Sequence, residues 1–305
     1  MKTATLIYNP IAGRRPARRE REIRDAAEAL RQAGIDARLA ATAGPGEARQ
    51  LAAQAVCRND ELVLVCGGDG TVNEVVNGLA PSPIPLGVLT GGTANILGKE
   101  LNLPPDPVSA ARALPNWSPR RIALGQASWR DPEQSPPIAR RYFISVAGIG
   151  FDAHIVYRLS NKLKMSWGVA GYVFEAFRQV VRYGFPPFAC EMNERQETAT
   201  FAVIHRTRLY AGWLHLAPTA DLFGSQFTTC LFRSRRWSRY LWYAAAVLAR
   251  RHLRLHDVEL VHATKVECAA RVPGEPIRFE LDGELVGTLP ATFEVVPDAL
   301  TLLVP

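Results

Sequence analysis

Leu62-Val63-Leu64-Val65-Cys66-Gly67-Gly68-Asp69-Gly70-Thr71-Val72-Asn73-Glu74-Val75-Val76-Asn77-Gly78 decides the reading of this chain. Five apolar residues without alternation suit a strand buried on both faces. Three glycines then punctuate the chain, and a helical pattern begins near Val72 and runs to Leu79. Glycine lets a backbone turn tightly and approach a ligand. The N–H groups and positive dipole end of the new helix favour a phosphate. Thr71 and Glu74 have capping-box spacing, which gives both a structural role. Asp69 has no such role, because an acid facing a phosphate is unfavourable unless it meets a metal ion or moves a proton.

The same strand–glycine–helix design recurs on both sides. Asn9-Pro10-Ile11-Ala12-Gly13-Arg14 follows a strand over Thr3–Tyr8, and Thr90-Gly91-Gly92-Thr93-Ala94-Asn95 follows one over Pro85–Thr90. Helices are expected at Arg18–Ala33, Gly46–Val56, Ala94–Leu101 and Val108–Leu114, with a further strand at Ile35–Ala41. This alternation predicts a parallel sheet with right-handed crossovers. Loops at the carboxyl ends of neighbouring parallel strands converge on one crevice, so three glycine loops together point to a nucleotide. The pattern is neither a Walker A loop nor a dinucleotide fingerprint: no Gly-Lys-Ser/Thr occurs, and Gly68-Asp69-Gly70 leads to Asn73.

Beyond about Pro119 the pattern changes to successive strands, which predict an antiparallel sandwich. They are expected at Arg121–Trp129, Arg141–Ala147, Phe188–Glu191, Thr198–His205, Trp213–Pro218, Gln226–Phe232, Val258–His262, Lys265–Ala270, Ile277–Leu281 and Ala291–Val296. Two helical stretches interrupt them, Asn161–Tyr183 and Ser238–His252. The fold class is therefore α/β plus all-β, with a Rossmann-like first domain over residues 1–120 and a β-sandwich over 121–290.

Of 305 residues, 48% are hydrophobic and 21% charged, which excludes a disordered chain, a collagen and a coiled coil. No apolar run reaches the ~18–20 residues of a membrane span, and the first residues lack the apolar core of a signal peptide. The five cysteines (Cys57, Cys66, Cys190, Cys230, Cys268) are scattered without C-x-x-C, as buried thiols in a reducing compartment would be. The net charge is +7, and Leu231–Leu255 carries seven arginines, no acid, and Trp237, Tyr240, Trp242 and Tyr243 among them. That stretch reads as a solvated helix face or as a contact for an anionic membrane. No nucleic-acid motif accompanies it. His252 and His256 stand at i, i+4 on a basic helix end and read as cap and solvent contacts.

Taken together, the motifs resemble those of the diacylglycerol kinase family of lipid kinases, which includes sphingosine and ceramide kinases, and most of all its bacterial soluble branch. Asn9-Pro10-x-Ala12-Gly13, the run Gly67–Gly78, and Leu86-Gly87-x-x-x-x-Gly92-Thr93-x-Asn95 carry the resemblance. So do Gly148-x-Gly150-Phe151-Asp152, Tyr210-Ala211-Gly212, Ala217-Pro218-x-Ala220 and Asp282-Gly283-Glu284, in the family's order. The resemblance implies ATP-dependent, Mg²⁺-assisted phosphoryl transfer to a lipid hydroxyl of a diacylglycerol-like or sphingoid acceptor, in the cleft between the domains. It also implies that residues 291–305 return to the first domain. By match, nucleotide contacts fall at Asn9, Pro10, Ala12, Gly13, Arg14 and Thr42, at Gly67, Gly68, Asp69, Gly70, Thr71, Val72 and Asn73, and at Gly92, Thr93 and Asn95. Glu284 matches the proposed general base. Asp69 holds Mg²⁺ through water or shares that role, and Asp282 belongs to the same acidic motif as a metal contact.

Two departures stand out. Asn95 is followed by Ile96 where soluble relatives often carry an acid. Asp221-Leu222-Phe223-Gly224 replaces an Asp-Asp-Gly loop that helps to hold a structural metal, so no side-chain metal site is expected there. The alternatives are an NAD kinase-like phosphotransferase, for which Asn193-Glu194 is the one separate Asn-Glu, and a nucleotide-gated lipid-binding protein with weak turnover. The acceptor is expected to border Gly148–Asp152 and the stretch from Asn161 with Met165, Trp167, Val169, Tyr172, Val173, Phe177 and Val180. The expected setting is cytoplasmic and peripheral to an anionic membrane, without nucleic acid. The oligomeric state is open, with a homodimer as one option.

Overall fold

The computed structural model describes residues 2–13, 16–132, 135–158, 178–272 and 276–305. The chain divides into two compact units, Met1–Leu124 with Pro297–Pro305, and Gly125–Val296.

The first unit runs β1 (Lys2–Tyr8), α1 (Pro16–Gln32), β2 (Ile35–Ala41), α2 (Glu47–Cys57), β3 (Leu62–Gly67), α3 (Asp69–Leu79), β4 (Pro85–Thr90), α4 (Ile96–Glu100) and α5 (Pro107–Ala113). All six residues of β3 are buried, as its unbroken apolar run demands. The strands pair in parallel in the order β2-β1-β3-β4. Tyr8 lies beside Cys66, and Gly67 beside Thr90, so the carboxyl ends of β1, β3 and β4 finish level. This register brings the three glycine loops out at one edge of the sheet. The last strand, β18 (Ala291–Val304), adds Thr301 and Leu302 in parallel to Pro85 and Leu86 of β4.

The second unit begins at Gly125, within β5 (Ser118–Arg130). It continues with β6 (Ile138–Phe143), β7 (Val146–Gly150), α6 (Phe151–Arg158), β8 (Phe188–Met192), β9 (Arg195–Ala199) and β10 (Phe201–His205). The short pair β11 (Leu209–Tyr210) and β12 (Leu214–His215) precedes β13 (Phe227–Phe232) and α7 (Trp237–Leu248). Then come β14 (Val258–Ala263), β15 (Lys265–Ala270), β16 (Arg278–Leu281) and β17 (Glu284–Thr288). One antiparallel sheet runs β14-β13-β10-β7-β16-β17. The other strands of the unit include β15, which pairs with β8 and with Ala291–Glu294 of β18.

Side-chain alternation builds two cores from the same strands. Ala202, Ile204, Phe227 and Leu231 join Phe143, Phe188, Phe279 and Phe293 between the sheets. Val203, Cys230 and Phe232 face the other way, onto Phe151, Phe185, Tyr240 and Tyr243. Each buried phenylalanine contributes roughly 2–3 kcal/mol of apolar burial.

Several sequence expectations are corrected. Arg141–Ala147 is not one strand but the end of β6 and the start of β7, parted at Ile144-Ser145. Phe143, Ile144, Val146 and Ala147 read as one apolar run across the break, so periodicity alone could not show it. Thr198–His205 likewise divides at Thr200, whose hydroxyl donates to the carbonyl of Ser234 at 2.7 Å. Helix α3 starts at Asp69, three residues before Val72. Cys57 is exposed, while the other four thiols are buried. His252 is buried and binds the carbonyl of Leu216 at 2.9 Å, so it is an interior anchor, not a solvent contact. Most of the stretch expected as a helix over Asn161–Tyr183 lies outside the described residues, Met165 to Phe177 included, whereas Val180 is buried.

His205 of β10 is wholly buried, with Nδ1 donating to the carbonyl of Thr207 at 3.1 Å. Burial pushes its imidazole down from 6.5 to about 4, with nearby His252 acting in the same direction. The folded value lies below the unfolded one, so the stability linked to the neutral ring is complete above pH ~6.5 and drains as pH falls toward ~4. The expected loss from this residue is about 2 kcal/mol by pH 5. Denaturant titrations at neutral pH and at pH ~5 should show this fall, and His205→Gln should flatten it. Equal slopes in parent and variant would contradict the assignment.

Candidate functional site

At the carboxyl edge of the parallel sheet the three loops touch. Asn9 N–H donates to the carbonyl of Cys66 at 3.0 Å, joining the first loop to the end of β3. The Asn9 side chain accepts from Ile11 N–H at 3.0 Å, which closes the Asn-Pro turn. Gly13 has φ +81°, and a Cβ there would lie 2.7 Å from the carbonyl oxygen of Gly91. A Cβ on Gly92 would lie 2.5 Å from Gly68 Cα. Only glycine lets these backbones approach so closely.

Arg19 of α1 holds the arrangement and is a residue that sequence reasoning missed. Its guanidinium is buried and donates through Nη2 to the carbonyls of Ala12 at 3.1 Å and Gly91 at 2.6 Å. Nη1 reaches Cys66 Sγ at 3.6 Å and Glu22 at 3.2 Å. One nitrogen of the guanidinium joins the two loops while the other reaches the end of β3 and Glu22, a spread of contacts that the point charge of an ammonium on a shorter stem does not match.

Helix α3 has Gly68 as N-cap in extended conformation, with no side-chain cap. Val72 N–H is the first to enter the helical ladder, on the carbonyl of Gly68 at 3.0 Å. Helix geometry therefore leaves Gly70 and Thr71 N–H without intrahelical acceptors, pointing out of the sheet edge. Val72 and Asn73 are buried in the helix body, where Asn77 Nδ2 donates to the carbonyl of Asn73 at 2.9 Å. Thr42 closes β2, its N–H on the carbonyl of Tyr8 at 2.9 Å, and Thr93 is exposed at the tip of the third loop. Arg14 lies outside the described residues.

Glu74 does not form a capping box with Thr71. Its carboxylate accepts from Gly46 N–H at 2.8 Å and Ala48 N–H at 3.1 Å and so caps α2. Asp69 also has a structural partner: Oδ1 accepts from Ile96 N–H at 2.7 Å at the start of α4. Asn95, with φ +49°, leaves that helix without a side-chain cap and turns its own amide onto Gly92, at 2.8 and 3.1 Å. Asp69 thus bridges the second loop to the third.

In the second unit Asp282-Gly283 is the tight turn between β16 and β17, both residues at positive φ (49° and 85°). The Asp282 carboxylate accepts from the N–H groups of Ile144 (2.9 Å), Ser145 (2.8 Å) and Val146 (2.9 Å). Glu284 begins β17 and forms an ion pair with Arg141. Behind the turn, Glu280 is fully buried and accepts from Gly283 N–H at 2.5 Å. Burial, and then the Asp152 carboxylate beside it, holds Glu280 well above the usual carboxyl range. A hydrogen bond between two carboxyls requires a shared proton. Asp152 also accepts from Tyr210 OH at 2.5 Å.

The Asp221–Gly224 loop is organised by a cation of the chain itself. Arg206 is fully buried and donates to the carbonyls of Leu222 (2.7 Å), Gly224 (3.0 Å) and Gln226 (3.1 Å). Asp221 turns back to accept from Phe223 N–H at 2.9 Å, and Leu222 is buried. A structural divalent ion does not fit among these groups: the guanidinium already engages carbonyls that such an ion would need, and Leu222 and Phe223 bring no oxygen. Among the described residues no group of three or more His, Cys, Asp or Glu could hold a metal.

Comparison with known proteins agrees with this architecture. Residues 3–127 match the model of the diacylglycerol kinase catalytic domain, and residues 145–304 match the YegS C-terminal NAD kinase beta sandwich-like domain. The chain belongs to the diacylglycerol kinase-like family that joins these two domains. The diacylglycerol kinase of Bacillus subtilis (strain 168) is 28% identical over 298 residues, 96% of this chain and 93% of that protein. That of Staphylococcus saprophyticus is 28% identical over 296 residues, 96% and 92% of the two chains. A crystal structure of a diacylglycerol kinase from Bacillus anthracis str. Sterne has TM-score 0.71 at 18% identity, covering 100% of this chain and 97% of that one. Yeast NADH kinase shares the fold more distantly, with TM-score 0.50 at 11% identity over 100% and 84% of the chains.

Arg19→Lys should keep the fold, because its alkyl stem still fills the site, and lose the two-loop contact. Charge-assisted hydrogen bonds contribute about 1.5–3 kcal/mol, so nucleotide affinity measured by calorimetry should fall on the order of 10–100-fold. Unchanged affinity would contradict the role given to Arg19. Arg206→Met should lower unfolding free energy by about 3 kcal/mol, since buried carbonyls lose their donors. Chelator should leave the parent's melting temperature unchanged; a drop on adding it would reveal a structural ion.

Proposed function

We propose that the chain transfers the γ-phosphoryl group of ATP to the hydroxyl of a diacylglycerol-like or sphingoid lipid with the help of Mg²⁺. The observation that carries this reading is the glycine-capped start of α3, against which the first and third glycine loops converge. Backbone N–H groups at a helix start suit the phosphates of ATP. The names of the relatives, diacylglycerol kinases, point to the lipid acceptor.

Phosphoryl transfer asks the protein for positioning and charge stabilisation. In this reading the first and third loops seat the nucleotide, and Gly70 and Thr71 N–H meet its phosphates. Asp69 would hold Mg²⁺ through water, and the ion would neutralise charge that develops on the transferred group. Asp69 keeps Ile96 at the mouth of the third loop through the same carboxylate. Glu284 takes the proton of the lipid hydroxyl as its oxygen bonds to the γ-phosphorus and ADP departs. Arg141 orients Glu284. Asp282, sequence-matched as a metal contact, is assigned instead to holding the turn that presents Glu284, because three N–H groups engage its oxygens.

The NAD kinase-like alternative gains no support from Asn193-Glu194. Both residues have positive φ (50° and 63°) in the turn between β8 and β9, and Asn193 Nδ2 donates to the carbonyl of His262 at 2.7 Å. Among the described residues no helix is long and apolar enough to cross a membrane.

Labelled ATP with Mg²⁺, a panel of lipids in mixed micelles, and NAD tests the reading. A labelled lipid is expected; labelled NAD, or no product, contradicts it. On the accepted lipid, Glu284→Gln should lower kcat about 10²–10⁴-fold while ATP affinity holds. Asp69→Asn should also shift the Mg²⁺ dependence. Near-parental turnover in Glu284→Gln would move the base assignment to Asp69.

A further inference from the structure

Helix α7 has two faces of different character. Tyr240, Tyr243 and Val247 are buried against the sheet. The outer face leaves Trp242 66%, Leu248 60%, Trp237 48% and Leu241 39% exposed. At 3.6 residues per turn, Trp237, Leu241 and Leu248 fall within about 40° of one another, along a helix about 18 Å long. Arginines flank this strip: Arg235 and Arg236 lie before it, and Arg250, Arg251 and Arg254 after it, all exposed. None of these five forms an ion pair among the described residues. The nearest acid in sequence, Asp257, is engaged from the inner side by Arg239 (2.7 and 2.8 Å) and Tyr243 (2.7 Å).

We propose that α7 is the membrane-docking element of this protein and lies in the plane of an anionic bilayer surface. Tryptophans and leucines would enter the interface while the flanking guanidinium groups meet lipid phosphates. An amphipathic helix with tryptophan on the apolar side and arginine at its margins binds lipid in this way. Tryptophan suits the boundary because its ring is apolar and its N–H polar. A nucleic acid would match the arginines but leave Leu241 and Leu248 in water. A second copy of this chain would set five arginines against five arginines. The charge pattern therefore selects an anionic lipid surface. The inference deepens the lipid-kinase reading by naming the surface that brings the chain to its lipid, yet the docking itself does not depend on catalysis.

The test uses the whole chain and vesicles of phosphatidylcholine alone or with phosphatidylglycerol. Co-sedimentation should favour the anionic vesicles and weaken with salt. Arg250→Ala/Arg251→Ala/Arg254→Ala should weaken binding on the order of 100-fold. Trp242→Ser/Leu248→Ser should also release the protein, including at low salt where the arginines still act. Both variants alter exposed side chains, so their melting temperatures should match the parent. Both should still phosphorylate a short-chain, water-dispersed diacylglycerol. Parental binding by either variant, or equal binding to the two vesicle types, would overturn the proposal. So would a dimer in the parent that either variant dissolves, since a second copy would then own the face. If the parent phosphorylates no lipid yet binds anionic vesicles through α7, the kinase reading fails and the docking inference stands.

Discussion

The first unit depends on one buried guanidinium. Arg19 bonds two carbonyls that belong to loops 79 residues apart in sequence, Ala12 and Gly91, directly beneath the end of β3. Burying a charge costs several kcal/mol unless it is well bonded, so the carbonyls must stay where the cation needs them. That requirement explains the glycines around it. A side chain at Gly13 would meet both Gly91 O and Arg19 Nη2, at 2.7 and 2.8 Å. The loops are thereby held close by the chain itself, which in the proposed nucleotide-binding role would lower the ordering cost of binding.

The second unit solves a similar problem with acids. Asp282 draws together three N–H groups more than 130 residues away, which fixes the break between β6 and β7. Glu280 and Asp152 share a buried position behind the same turn. The Asp-Gly turn is thus held from two sides, and Glu284 follows it as the first residue of β17. Arg206 plays the corresponding part at the Asp221 loop, where a cation of the chain joins three carbonyls. An ion carried by a side chain cannot be lost to a chelator.

Much of this plan is legible in the sequence because local physics carries it. The unbroken apolar run of β3 and the glycines after it announce a buried strand and a phosphate-type turn. What escapes is set by partners distant in sequence. Arg19 falls on the helical stripe of the buried Ile23, Ala26 and Leu30, but nothing in the sequence says which carbonyls an arginine there would meet. Glu74 has the spacing of a cap for its own helix but caps α2 instead, 26 residues away at Ala48. The break at Ile144-Ser145 lies between two strand-like halves, and only Asp282 reveals it.

The central claim is that the Arg19-held loops and the start of α3 form the nucleotide's phosphate seat. Hydrogen–deuterium exchange of the whole chain, with and without Mg²⁺–ATP, tests it most directly. Slowed exchange is predicted at the amides of residues 67–71 and 91–96, with the interior of α5 unchanged. Nucleotide binding that leaves those amides unprotected, or that protects only other segments, would contradict it.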